Sequence, residues 1–301
     1  MPRTVTVGLD GSPESRAAAE WAAREAGLRG LPLKVLHVSE PAPHPMARAP
    51  FLGTETHQHW AEPVPRESVE GIRLRHPGIE VTGENVTGHP VDVLCGAAAT
   101  ADMIVLGTRG LGGTGGYVLG SVGLAVVARA ERPVVLVRAG EQAADEHEKD
   151  PAGVPSAAAP FRPVVLGLDA ENPDGTPIGF AFDAAVRRAT TLRVVRCWRP
   201  APYHGYGTSA EAGPRAATAL HESAALAETV GPWRQKFPDV DVGEESRCGS
   251  PAVCLVEASR EASLVVVGRQ ARRSAFGTHI GHVTHAVLHH STAPVAVVAH
   301  G

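Results

Sequence analysis

The chain repeats itself over a long period, and that constrains its fold more than any other feature. VTVGLDGS at residues 5–12 has a counterpart in VVLGLDAE at 164–171, and KVLHVSEPAP at 34–43 has one in RVVRCWRPAP at 193–202, both displaced by 159 positions. GHPVDVL from Gly88 matches GSPAVCL from Gly249, DMIVLGTRG from Asp102 matches SLVVVGRQA from Ser263, and RPVVLV from Arg132 matches APVAVV from Ala293, now displaced by 161. Whatever one copy folds into, the other must fold into as well. The 301 residues suit two domains of ordinary size.

Within the first copy a short β-branched run (5–9) precedes an alanine-rich amphipathic stretch (13–28), then a second apolar run (33–38). A polar excursion carries a helix candidate (66–75). A third run (80–86) leads through Gly88 and Pro90 into a helix at 91–99, and the fourth run (103–106) is followed by a glycine-rich loop, a helix near 121–130 and a fifth run (134–137). Strands alternating with helices predict an α/β fold, a parallel sheet covered on both faces, five strands in each of two tandem doubly wound domains. The run at 139–160, rich in Ala, Pro and charge, reads as a flexible linker. The expected domains are 1–140 and 161–301, with 141–160 between them. The fifth strands (134–137 and 294–298) are short apolar edges, expected to pair the halves about a pseudo-twofold axis.

Composition narrows the function. A net charge of −4 argues against a nucleic-acid footprint or a polybasic membrane surface. The amino terminus enters a strand-like run at once, leaving no room for a signal peptide, so a cytoplasmic location is expected. Cys95, Cys197, Cys248 and Cys254 form no CxxC pair and read as thiols. Residues 110–128 carry no charge, but seven of those nineteen are glycine, too polar in backbone for a membrane span.

The stretch GTRGLGGTGGYVLGS, 107–121, holds seven glycines in fifteen residues. It follows the fourth strand and opens a helix at Gly120 and Ser121. Ligands of open parallel sheets bind beyond the carboxyl ends of the strands. Free N–H groups at a helix start favour anions, and glycines let the backbone close around phosphate oxygens. Ser121 adds a hydroxyl at the expected cap. Asp10, at the end of the first strand, is placed to accept from a ribose hydroxyl. The loop has no GKS or GKT, so it is not a P-loop.

The pattern Gly107-x-x-Gly110, nine residues, Gly120-Ser121 resembles the nucleotide-binding signature of the universal stress protein family, as do VGLDGSPES, LHV at 36–38 and RPVVLVR. The resemblance covers both halves, in the tandem form found in actinobacteria, with the fold shared by adenine-nucleotide hydrolase-like proteins. It implies ATP, with or without Mg2+: Asp10 and the main chain at Val38 hold the adenosine, while Gly107, Arg109, Gly110, Gly120 and Ser121 surround the phosphates. Arg109 is assigned to charge complementation.

The second copy reads GRQARRSAFGTHIGH. Asp169, Gly268 and Gly281 are kept, Cys197 stands for Val38, Ala271 for the second glycine and His282 for the serine, while Pro173 and Pro177 disturb the start of the first helix. Arg269, Arg272 and Arg273 are placed to attract an anion. A positive φ at Ala271 costs roughly 1 kcal/mol, about fivefold in affinity. The first half is therefore expected to bind ATP more tightly. His282, His285 and His289 share a helix face, flanked by His279 and His290, but three or four convergent ligands are not evident, and no metal is expected. No hydrolytic constellation appears. The expected function is an ATP-binding regulatory protein of the cytoplasmic stress response, a homodimer whose nucleotide occupancy modulates a regulatory protein partner, with at most slow ATPase activity. The alternatives are a weak ATP-hydrolysing enzyme or a ligand-free interaction scaffold.

Overall fold

The structure is a computed structural model that describes residues 3–40, 63–108, 120–150, 152–154, 156–169, 173–199, 212–271 and 280–301. It divides into two compact units, Met1–Gln142 and Ala143–Gly301.

The first unit runs β1 (Val5–Gly8), α1 (Pro13–Arg29), β2 (Leu33–Ser39), α2 (Pro63–Arg75), β3 (Val81–Thr87), α3 (Pro90–Thr100), β4 (Met103–Thr108), α4 (Ser121–Arg129) and β5 (Val134–Arg138). Its strands lie in the order β3-β2-β1-β4-β5, every pairing parallel. The chain leaves β1 on one side toward β2 and later returns on the other side as β4, so the order reverses between β1 and β4. In the sheet centre, Val5, Val7, Met103, Ile104 and Val105 are completely buried, as strands covered on both faces must be.

Helix α1 shows how the sequence dictates position. Its inward face is small: Ala18, Ala19, Ala22, Ala23 and Ala26 are buried around Trp21. That lets the helix lie close on the sheet. Ser12 caps its start by accepting from the Ser15 N–H, and Gly30 ends it in the left-handed conformation at φ 61°, a geometry that favours glycine.

The second unit repeats the plan with β6 (Val164–Gly167), α5 (Gly175–Arg188), β7 (Leu192–Trp198), α6 (Ala212–Lys236), β8 (Val242–Cys248), α7 (Pro251–Ala258), β9 (Leu264–Gln270), α8 (His282–His290) and β10 (Val295–His300). The order is β10-β9-β6-β7-β8, again all parallel. The left-handed cap of its first helix is Ala189, at φ 47°, where the repeat register matches Gly30. Stacked Phe182, Trp233 and Phe237 hold α6 over α5.

The segment expected as a flexible linker has fixed contacts. Glu141 is buried against Arg24 of the first unit at 2.9 Å. Ala143–Glu146 forms a turn of 3₁₀ helix, the buried Glu146 lies 3.9 Å from Arg188, and the His147 ring packs, tilted, with its centroid 4.0 Å from that of Phe161. Buried charged groups need such partners, and composition alone does not reveal them. Among the described residues no helix is long and apolar enough to cross a membrane.

Candidate functional site

In each unit the chain passes the carboxyl end of its first strand and bends into the first helix. Asp10 stands there in the first unit. Its carboxylate accepts from the Ser12 N–H at 3.0 Å and the Ser12 hydroxyl at 2.6 Å, an Asx turn that needs Gly11 at φ 83°. Partial burial works to raise this carboxyl, yet the Ser12 hydrogen bonds outweigh it and hold it below the usual range. Asp10 therefore stays ionised and fixed in direction.

Val38 lies beyond the reach of β1, whose pairing with β2 ends at Gly8 opposite Leu36. Leu9 adds one more bond, its N–H donating to Leu36 O at 2.9 Å, and its carbonyl accepts from the His37 imidazole at 2.7 Å. Val38, paired with Val86 of β3, thus lies past the last pairing between β1 and β2. Cys197 holds the same position in the second unit, where β6 stops opposite Val195 and Leu168 N–H donates to Val195 O.

The glycines of the motif separate into two kinds. Gly107 belongs to β4 rather than the loop, pairing with Val137. A Cβ there would meet the α1 backbone at Glu14 C, 2.4 Å, and Ser15 N, 2.7 Å, so this glycine admits the first helix. Gly120 differs: φ is −59°, which any residue adopts, and a Cβ would meet nothing within 4 Å among the described residues. Gly281 matches it at φ −56°, also with open space. Neither glycine is required by its own backbone or by a neighbour among those residues; a side chain there would fill the space in front of the helix start.

Three expectations need correction. Gly120, not Ser121, is the cap of α4, and no side-chain cap bond forms there, because Ser121 is already the first helical residue. His282 likewise begins α8 behind Gly281. Ala271 does not adopt a positive φ, since Ala189 is the one described non-glycine that does; its N–H continues the β9 ladder to His300 O at 2.7 Å. The strain argument against the second copy therefore falls. Arg109 and Gly110, and also Arg272, Arg273 and His279, lie outside the described residues.

A cavity of about 780 Å³ opens at the carboxyl end of the second sheet, a volume ordinary for small-molecule sites. Asp169, Cys197, Gly268, Arg269, Gly281 and His282 line it together. Further liners escaped the sequence reading, among them Arg196, Trp198, Glu222 and His300. Arg196 and Trp198 are nine-tenths buried, and Arg196 is bound to Glu222 at 2.7 Å. Arg269, also buried, replaces the Thr108 of the first unit with a cation. An arginine inside the apolar run RVVRCW was the available signal, since charge in a buried strand requires a partner. The histidine face is real, with His285 and His289 rings 4.4 Å apart, but among the described residues no group of three or more metal-ligating side chains converges.

Comparison with known proteins agrees with this architecture. The universal stress protein family matches the chain twice, at residues 1–138 and 160–299. A universal stress protein of Mycolicibacterium smegmatis is 31% identical over 301 aligned residues, covering 98% of this chain and 96% of its own. One from Mycobacterium tuberculosis is 33% identical over 309, covering 97% and 96%. The crystal structure of a universal stress protein from Archaeoglobus fulgidus superposes with a TM-score of 0.68 at 18% identity, covering 99% of this chain and 98% of that one, and shares the fold. With both halves matched and the relatives aligned end to end, the chain belongs to the universal stress protein family in its tandem two-domain form.

Proposed function

We propose that the chain binds adenine nucleotide, ATP foremost, as a regulatory protein of the cytoplasmic stress response, and that occupancy changes its association with protein partners. The observation that carries this reading is the second unit's cavity, which gathers Asp169, Gly268, Arg269, Gly281 and His282 from three separated stretches of sequence. Asp10 and Asp169 would take ribose hydroxyls, and the main chain at Val38 and Cys197 the base. The helix starts at Gly120 and Gly281 would take phosphates, where N–H groups and the helix dipole favour negative charge. Arg269 and, in the first unit, Arg109 supply cations; Mg2+ would accompany the phosphates as it does in solution.

Regulation rather than turnover fits the residues: the lining groups bind and orient, and no nucleophile-and-base pair stands among those assigned. The signal is then a population shift, ATP favouring the arrangement it binds better. Assembly as a homodimer belongs to the same proposal. Nucleotide released from denatured purified protein, identified by mass spectrometry, and calorimetric titration with ATP test the reading. Saturable ATP binding is expected, and Gly120→Val together with Gly110→Val should weaken it while the chain stays folded. A folded protein that gives no saturable heat with ATP would overturn it.

A further inference from the structure

In both units the second strand outruns the first, and the side chains carried there differ in one consistent direction. By the repeat register, His37, Ser39 and Glu40 of the first unit become Arg196, Trp198 and Arg199. The first unit's groups are engaged within the protein or limited to accepting. The His37 ring bonds Leu9 O at 2.7 Å, the Ser39 hydroxyl lies 3.3 Å from that of Thr87, and exposed Glu40 carries a carboxylate, an acceptor alone when ionised.

The second unit has hydrogen-bond donors at all three positions. Arg196, Trp198 and Arg199 line the cavity together with Glu222 of α6. Arg196 and Trp198 alternate with Cys197 along β7 and so share one face of the sheet, where Arg196 Nη2 lies 2.7 Å from Glu222 Oε2. Both side chains are buried, and Arg196 Nε and Trp198 Nε1 have no hydrogen-bond partner among the described residues. Buried donors left unpaired cost free energy, which acceptors on a ligand would offset.

We propose that the second unit's cavity selects a 6-oxopurine nucleotide, guanine over adenine, and that Arg196, Trp198 and Glu222 set the choice. This selectivity rests on nucleotide binding at that cavity as already proposed, with the base at the main chain of Cys197. Guanine presents acceptors at O6 and N7 and a donor at N1–H beside O6. Arginine suits O6 and N7, the Trp198 N–H is a second donor to that edge, and the Glu222 carboxylate accepts from N1–H. Adenine turned the same way has an amine at position 6 and an acceptor at N1, so donor would face donor and acceptor would face acceptor. ATP then remains the ligand of the first unit and a weaker one at the second.

Calorimetry with ATP, GTP and ITP on the full chain, and on its Asp10→Ala and Asp169→Ala variants, tests this. GTP should bind about tenfold more tightly than ATP in the event that Asp169→Ala removes and Asp10→Ala leaves. ITP keeps O6, N7 and N1–H without the 2-amino group, and should match GTP. Trp198→Phe deletes one donor but keeps an aromatic ring; it should weaken GTP about fivefold and change ATP little. Arg196→Met combined with Glu222→Gln, which leaves no unpaired charge, should abolish the preference. If ATP binds the second unit as tightly as GTP, the selectivity is refuted while nucleotide binding stands. A GTP preference that ITP does not share also refutes it, because O6 would then not be the group recognised. A folded protein that gives no saturable heat with any of the three overturns both proposals.

Discussion

Helices α1 and α5 start differently over equivalent glycines. Helix α1 begins at Pro13 and lays its backbone directly on Gly107. The repeat register puts the counterpart of Pro13 at Asn172, yet α5 begins at Gly175, capped by Asp174 accepting from Thr176 N–H. Two prolines explain the delay, since Pro173 disfavours helix in the residue before it and Pro177 is tolerated only in the first turn. The space over Gly268 is filled instead by the His300 ring, 2.9 Å from where a Cβ would lie, and by Pro177 at 3.4 Å. His300 Nδ1 in turn lies 3.7 Å from Asp174. The same letter in the same motif thus answers to backbone in one unit and to a movable side chain in the other.

The largest expected effect follows from this contrast. Gly107→Ala drives a methyl into fixed helix backbone and should destabilise the first unit by about 3 kcal/mol, whereas Gly268→Ala meets the end of a side chain and should cost about 1 kcal/mol or less. Denaturant unfolding of both variants checks it; equal losses would mean that the His300 ring cannot move.

Next comes nucleotide affinity, on the proposed function. Asp10 is held by Ser12, while the sequence puts Glu171 at that position in the second copy. We expect the first unit to bind ATP about tenfold more tightly, about 1.4 kcal/mol. Asp10→Ala should remove the tighter event in calorimetry and Asp169→Ala the weaker one; the reverse assignment refutes it.

A smaller difference lies in the helix caps. Gly30→Ala should destabilise, and Ala189→Gly should stabilise by about 1 kcal/mol, because a left-handed φ strains any residue with a Cβ. Thermal unfolding of the two variants should move in opposite directions.

The smallest effect is pH dependence, with a pH window that separates the units. Burial and the neighbouring His289 push His285 below the ordinary histidine value. The unfolded chain therefore takes up that proton first, and the second unit should begin to lose stability as pH falls below about 6.5. Burial works to raise Asp10, Glu20 and Glu245, but hydrogen bonds from Ser12, from Arg75 and His76, and from Arg193 and Arg247 hold all three down. Their contribution is present above about pH 4 and lost below it, in both units. Melting temperatures of wild type and His285→Gln should diverge as pH falls through the upper part of the range and keep that separation below it.

The sequence by itself determined the duplication, the alternation of strand and helix, the family and the positions of Asp10, Asp169 and the glycine motif. Periodicity and spacing are local properties, and the second copy served as an internal control on the first. It did not determine why each glycine is there. Gly107 and Gly120 look alike in the motif, and only the packing of α1 on β4 separates a glycine that admits a helix from one that leaves space in front of one. Nor could spacing bring Arg196, Glu222 and His300 to one cavity, since they meet through the parallel crossovers and the late start of α5. The Ala271 strain argument failed for the same reason, because φ is set by the β9 ladder that continues through that residue to His300, a partner twenty-nine positions away in the chain.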